Sequence, residues 1–154
     1  MKLKEITNSE LIKCHIKVAS KKMLLELVSQ LFSDVLHLEA DNQLFDDFIA
    51  REKLGSTALG HGVAIPHIRS KATSTPMLAI LQLQSPIDFD AEDHRPVDIL
   101  FALIVPHDAN NDHLQLLAEC SSILIQQKNR KLIRAASEPQ DIMRVIDNYC
   151  LSYA

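Results

Sequence analysis

Glycine is confined to one short stretch of this 154-residue chain, and that confinement limits where the backbone can turn sharply. Average usage would place roughly eleven glycines in a chain of this length. There are three, Gly55, Gly60 and Gly62, all within LGSTALGHGVAIPHIR and directly ahead of Pro66–His67. Glycine is needed where the backbone takes positive φ or must approach another group closely. The stretch therefore reads either as a helix end at Gly55 with a tight turn at Gly60–Gly62, or as a loop that aims backbone N–H groups at an anion. Gly55 and Gly60 have the spacing of a nucleotide-binding P-loop, but His61–Gly62 stands where Lys and then Ser or Thr are required, which excludes that motif.

On either side of this stretch the hydrophobic pattern is helical. Ser20 is placed to cap a helix through about Leu38, with Met23, Leu24, Leu27, Val28, Leu31, Val35 and Leu38 as its apolar stripe. Asp41 is placed to cap a second, with Leu44, Phe45, Phe48 and Ile49 inward and Asp46, Asp47 and Arg51 outward. Apolar runs at Val63–Ile65, Met77–Leu83 and Ile99–Val105 predict buried strands of limited length, punctuated by Pro76, Pro86, Pro96 and Pro106. A further strand is expected at His15–Val18. Helical periodicity returns over 112–127, 129–136 and 139–148, the first of these with Leu114, Leu117, Ala118, Ser121, Leu124 and Ile125 on or near one face. Helices at both ends around central strands predict an α/β sandwich, a mixed sheet flanked by helices on both faces, in a single domain over residues 1–154.

Composition closes several routes. A net charge of −4 without a basic stripe argues against nucleic acid as a partner. No apolar run reaches the roughly 18–20 residues of a membrane span, and the N-terminal residues lack the apolar core of a secretory signal. Cys14, Cys120 and Cys150 are widely spaced, forming neither a disulfide framework nor a metal knuckle, which suits a reducing cytoplasm. The pairs His61 and His67, and His107 and His113, are six apart, which is no zinc-binding spacing, so no metal and no cofactor are expected. The acidic run Asp88–Asp93 lacks the glycine and terminal glutamate of a calcium loop and reads as solvated or turn-forming. Ser56 and Cys120 lack a nucleophile-elbow motif, and Cys120 reads as a small core residue.

His67 is the candidate that remains. Pro66 fixes its own φ and biases Ile65 toward extended geometry, so the backbone entering His67 is stiff. Val63–Ile65 would hold it at a strand end. A histidine phosphoacceptor needs a neutral nitrogen facing outward, a partner that sets the tautomer through the other nitrogen, and limited access for water.

The segment Glu52-KLGSTALGHGVAIP-His67 resembles the active-site signature of the fructose/mannitol-type enzyme IIA domains of the bacterial phosphotransferase system. SKKMLLELVSQLF, IDFDAEDHRPVDILFALIVP and HLQLLAE follow in that family's order, so the resemblance spans essentially the whole chain. Within the family it leans to the stand-alone nitrogen-regulatory members rather than to sugar-specific domains. The resemblance implies that His67 accepts the phosphoryl group and that His113 and Arg51 lie beside it. It also implies that Ser56 and Thr57 support or contact the phosphate from the preceding loop. The family pattern has a small residue, usually glycine, after the active histidine, and here Ile68 stands there. Either the backbone at Ile68 is ordinary, or a β-branched residue is strained at positive φ and transfer is altered.

Two functions follow from the resemblance. In one, an HPr-like phosphocarrier donates to His67, and the chain acts in nitrogen/potassium-type regulation through phosphorylation-dependent binding of other proteins. In the other, it is a sugar-specific component passing phosphate to an enzyme IIB.

Overall fold

The computed structural model describes residues 1–152. Two short 3₁₀ turns, at Leu3–Glu5 and Ser9–Leu11, lead into β1 (Ile12–Ile16), α1 (Lys21–Leu36) and α2 (Leu44–Lys53). Four strands follow the second helix at short intervals: β2 (Ala58–Gly60), β3 (Val63–Ala64), β4 (His67–Ser70) and β5 (Met77–Ile87). The chain finishes with β6 (Val97–Pro106), α3 (Asp112–Leu124), α4 (Gln127–Ala135) and α5 (Pro139–Ser152).

Alternation along β6 sets the architecture. Ile99, Phe101, Leu103 and Val105 pack with Cys120, Ile123, Ile133, Ile142 and Ile146 from α3, α4 and α5. Leu100, Ala102 and Ile104 face the other way, onto Leu24, Val28, Phe32 and Phe48 of α1 and α2. Each fully buried Val, Leu, Ile or Phe among them contributes roughly 1.5–3 kcal/mol. A sheet apolar on both faces must be covered on both, and the expected sandwich with helices on either side results. The strand order is β1-β5-β6-β3-β2, with β4 also on β6. β1 runs parallel to β5, and β3 and β4 run parallel to β6, whereas β5–β6 and β2–β3 are antiparallel, so the sheet is mixed.

β3 and β4 are two pieces of one line along β6. Val63 and Ala64 pair with Ile99 and Leu100, and His67 to Ser70 pair with Leu103 to Pro106. Between them Ile65–Pro66 steps out of the ladder, since proline has no N–H to donate, although the Pro66 carbonyl still accepts from Leu103 N–H at 2.9 Å. This interruption is what sets His67 at the start of a strand.

Several sequence expectations shift. α1 is capped by Ser20 as expected, its side chain accepting from Met23 N–H. Its buried stripe, however, is Leu24, Leu25, Val28 and Phe32, while Met23 and Leu27 are exposed. Adjacent Leu24 and Leu25 both turn inward and rotate the stripe. Asp41 does not cap α2. Asn42 does the local work instead, accepting from Leu44 N–H at 3.0 Å and donating to Ser33 Oγ and Glu39 O, which a carboxylate cannot do. In α3 the buried residues include Leu116, Cys120, Ile123 and Leu124, and Leu114 and Ile125 lie exposed. The first strand begins earlier than expected. It carries an irregularity at His15 (φ 56°), whose N–H reaches Gln82 Oε1 at 2.8 Å. β5 continues through Pro86 because its register shifts between Gln82 and Ile87, where a bulge tolerates proline. β2 and β4 are strands that periodicity did not reveal. Gln82 is only 3% exposed, and its amide donates to the carbonyls of Ile133, Arg134 and Ala136, joining the sheet to the end of α4.

Candidate functional site

His67 opens β4, whose burial alternates so that Ile68 and Ser70 point inward while His67 and Arg69 face the opposite side. His67 there lines a cavity of about 480 Å³ with Arg51 and Leu54 from the end of α2, Arg69 of β4, and His113 and Leu117 of α3. The site thus sits where the C-terminal end of one helix and the first turn of another meet a sheet-edge strand.

The ring of His67 is oriented by its own backbone. Nδ1 lies 2.8 Å from the carbonyl oxygen of Ile65, and a carbonyl can only accept, so Nδ1 carries the proton. Nε2 is left with the lone pair. Burial, first of all, lowers the pKa of His67 below the ordinary histidine value; the Ile65 hydrogen bond pulls it up, Arg51 and His113 push it down, and Glu52 raises it. A neutral imidazole with a set tautomer, presenting Nε2, can act as a nucleophile near neutral pH.

His113 is arranged in the same way. Its Nδ1 is 2.6 Å from Asn110 O, which assigns the proton to Nδ1. Arg69 Nη2 stands 3.2 Å from both ring nitrogens, across the ring rather than along one lone pair, and Arg69 Nη1 donates to the carbonyls of His107 and Ala109. Arg69 therefore ties β4 to the loop that delivers His113. The sequence reading missed it. A strand recognised at residues 67–70 would have exposed it, because residues two apart share a face.

Arg51, expected to face outward, is half-buried on the cavity wall, and its Nη1 donates to Gly55 O at 3.0 Å. Asp47 also lines the cavity, with its pKa raised by burial first and by Asp46 second.

Ser56 and Thr57 lie behind the site. Ser56 Oγ donates to Phe89 O at 2.7 Å and accepts from Ala58 N–H. Thr57 Oγ1 donates to Glu52 Oε1, Thr57 N–H to Glu52 Oε2, and the Thr57 carbonyl accepts from Ile65 N–H at 3.0 Å. Ile65 is therefore held through its N–H by Thr57, and through its carbonyl it holds His67. Glu52 is a second residue the sequence reading did not single out. Its carboxylate is 5% exposed and pairs with Lys21 Nζ at 2.8 Å. Lys21 also lies over the Phe89 ring and reaches Phe89 O, so α1, α2, the loop before β2 and the turn after β5 meet at one point.

The glycine turn does not face His67. Its tip, His61 (φ 57°), gives its N–H to Asp93 Oδ2 at 3.0 Å, so the turn is closed by a carboxylate from the acidic run. Ile68 is not among the positive-φ residues; it is 8% exposed and packs with the α1–α2 core. The backbone is ordinary where the family pattern has its small residue. Among the described residues no cluster of three or more His, Cys, Asp or Glu side chains is placed to hold a metal, and no helix is long and apolar enough to cross a membrane.

The sequence model of the phosphoenolpyruvate-dependent sugar phosphotransferase system, EIIA 2, matches residues 5–149. A nitrogen regulatory protein of Pseudomonas aeruginosa is 39% identical over 127 residues, 82% of each chain. A fructose-specific EIIA component of Haloferax volcanii is 32% identical over 141 residues, 92% of each. The crystal structure of the nitrogen regulatory protein IIA-Ntr from Neisseria meningitidis matches with a TM-score of 0.87 at 34% identity, covering 93% of this chain and 97% of that one. Matched along nearly its whole length in sequence and in fold, the chain belongs to the EIIA 2 family of the phosphotransferase system.

Proposed function

We propose that the chain is a phosphocarrier, acting as a single domain in the cytoplasm, that accepts a phosphoryl group on Nε2 of His67 from a phosphohistidine of an HPr-like protein. The observation that carries this is the 2.8 Å contact from His67 Nδ1 to Ile65 O, which leaves Nε2 as the nitrogen with a lone pair on the cavity side of an engaged ring. In the step, the donor P–N bond breaks as the Nε2–P bond forms, and the donor imidazole leaves with its electron pair. The His67 Nδ1 proton stays, and the Ile65 carbonyl stabilises it as the ring becomes more acidic. Transfer of this kind passes through a loose transition state, so positioning and charge do most of the catalysis and no metal or cofactor is required. Arg51 supplies guanidinium donors to the phosphoryl oxygens, and His113, on the same wall, contacts them through Nε2 when that nitrogen carries a second ring proton. Ser56 and Thr57 support the segment that holds the ring.

The phosphorylated ring then sets which protein the chain binds, a regulatory role of the nitrogen/potassium type. Support for regulation comes from the relatives named nitrogen regulatory protein. A second reading, transfer onward to an enzyme IIB for sugar uptake, draws on the Haloferax volcanii relative named fructose-specific.

Intact mass after incubation with phosphoenolpyruvate, enzyme I and an HPr-like carrier tests the acceptor. An acid-labile phosphate adduct on the native chain, missing from His67→Ala, is expected. An adduct retained by His67→Ala would overturn the assignment. Adding candidate IIB domains separates the two roles: prompt loss of phosphate to one of them favours transport, and retention across all of them favours regulation.

A further inference from the structure

A second cavity, of about 390 Å³, opens at the tip of the β2–β3 turn, away from His67. Its wall is His61, Arg95, Gln127, Arg130, Lys131 and Arg134. Four of the chain's sixteen Lys and Arg residues meet here with no carboxylate among the lining residues, although the chain as a whole carries −4. The α4 contributors stand at i, i+3, i+4 and i+7, so they form one face of that helix.

Arg130 makes this cavity more than a solvated basic patch. It is 9% exposed, its Nη1 donates to Leu124 O at 2.9 Å, and no carboxylate pairs with it among the described residues. Buried charges are ordinarily paired, because an ion removed from water without a counter-charge is strongly disfavoured. The nearby carboxylates are engaged elsewhere. Asp98 is taken by Arg134, with contacts of 3.0 and 2.9 Å, and Arg134 Nη2 also donates to His61 O. Asp93 accepts the backbone N–H groups of His61 and Arg95. The head groups of Arg95 and Lys131 have no ion-pair partner among the described residues. Arg130 therefore lacks a paired carboxylate, as does Lys131, Arg95 interacts with Asp93 only beyond ion-pair distance, and all three border a space large enough for a small ligand.

We propose that this cavity binds a small phosphate-bearing anion, with Arg130 as its buried anchor and Arg95 and Lys131 closing over it. Guanidinium groups pair with phosphate through two parallel N–H donors, and Arg130 keeps donors beyond the one given to Leu124 O. This site stands apart from the reading of His67 and does not depend on it.

Titration of the ¹⁵N-labelled full chain with inorganic phosphate, and separately with phenyl phosphate, tests the proposal, chloride being adjusted to hold ionic strength constant. Saturable shifts in the amides of His61, Gln127, Arg130 and Lys131 are expected, distinct from any response around Arg51, His67 and His113. Arg95→Gln with Lys131→Gln should weaken binding at least about tenfold, the loss of one charge-assisted hydrogen bond or more. Both side chains are exposed, and neither head group makes a hydrogen bond or ion pair among the described residues, so the double variant keeps the fold. Arg130→Gln should remove saturable binding. Non-saturating shifts in the native chain, or unchanged affinity in the double variant, would overturn the site. Stronger binding of phenyl phosphate than of inorganic phosphate identifies an ester ligand, and equal binding identifies the free anion.

Discussion

The Ile65 carbonyl and the His67 ring, two residues apart in sequence, are joined at 2.8 Å across the break between β3 and β4. A regular strand would turn neighbouring side chains to opposite faces and leave its carbonyls in the ladder. Pro66 brings no N–H to the ladder, and at this break the Ile65 carbonyl meets the ring rather than a neighbouring strand.

Burial lowers the pKa of His67, so its ring stays neutral to lower pH than a free histidine, whose value is about 6.5. The unfolded chain therefore binds the proton first. Stability contributed by the neutral ring is present above the unfolded value and is lost as pH falls through the lowered folded value. Acceptance of phosphate should follow the same ring and persist below pH 6.5. An NMR titration of the His67 ring checks this, and a midpoint at or above the free-histidine value would contradict it.

Ile68 is a core residue with ordinary backbone, so it does not hold the site in strain. Ile68→Ala should lower unfolding stability by about 2–4 kcal/mol through the cavity it leaves, without speeding phosphate acceptance. Urea unfolding beside the mass assay measures both. Faster acceptance in the variant would mean that the side chain obstructs the donor.

Lys21 and Glu52 form an ion pair whose carboxylate also holds Thr57, and Thr57 holds Ile65. Replacing Lys21 with Met strands a buried carboxylate and should cost about 3 kcal/mol. Glu52→Gln should loosen the loop before β2 as well, seen as faster amide exchange at Thr57 and Ile65. Full stability in Lys21→Met would show the pair to be dispensable.

α1 ends with His37 in the left-handed region, φ 56° and ψ 46°, while His37 N–H reaches Asp34 O and Leu38 N–H reaches Ser33 O. This pattern normally takes glycine. A residue with a Cβ there costs roughly 1–2 kcal/mol, partly offset by the chain entropy that glycine adds to the unfolded state. His37→Gly should therefore raise stability by about 0.5–1 kcal/mol, read from thermal unfolding. His15, His61, Asp90 and His94 also adopt positive φ, so this glycine-poor chain uses histidine and aspartate at left-handed positions.

Local pattern determined a good deal of this protein. Ser20 announced α1, the apolar runs announced β5 and β6, and the sparse glycines with Pro66 singled out the segment that ends at His67. Those signals are carried by residues within a few positions of one another, where capping, periodicity and fixed φ act. β2 and β4 escaped because three or four residues carry no readable period, and their strand character comes from β3 and β6 beside them. Arg69 meets His113 across 44 residues, Lys21 meets Glu52 across 31, and Arg130 lines its cavity with His61 from the far side of β3. Such pairings depend on which sheet face each strand presents and on how helices settle against it. Packing of the whole core decides that, and no local stretch of sequence contains it.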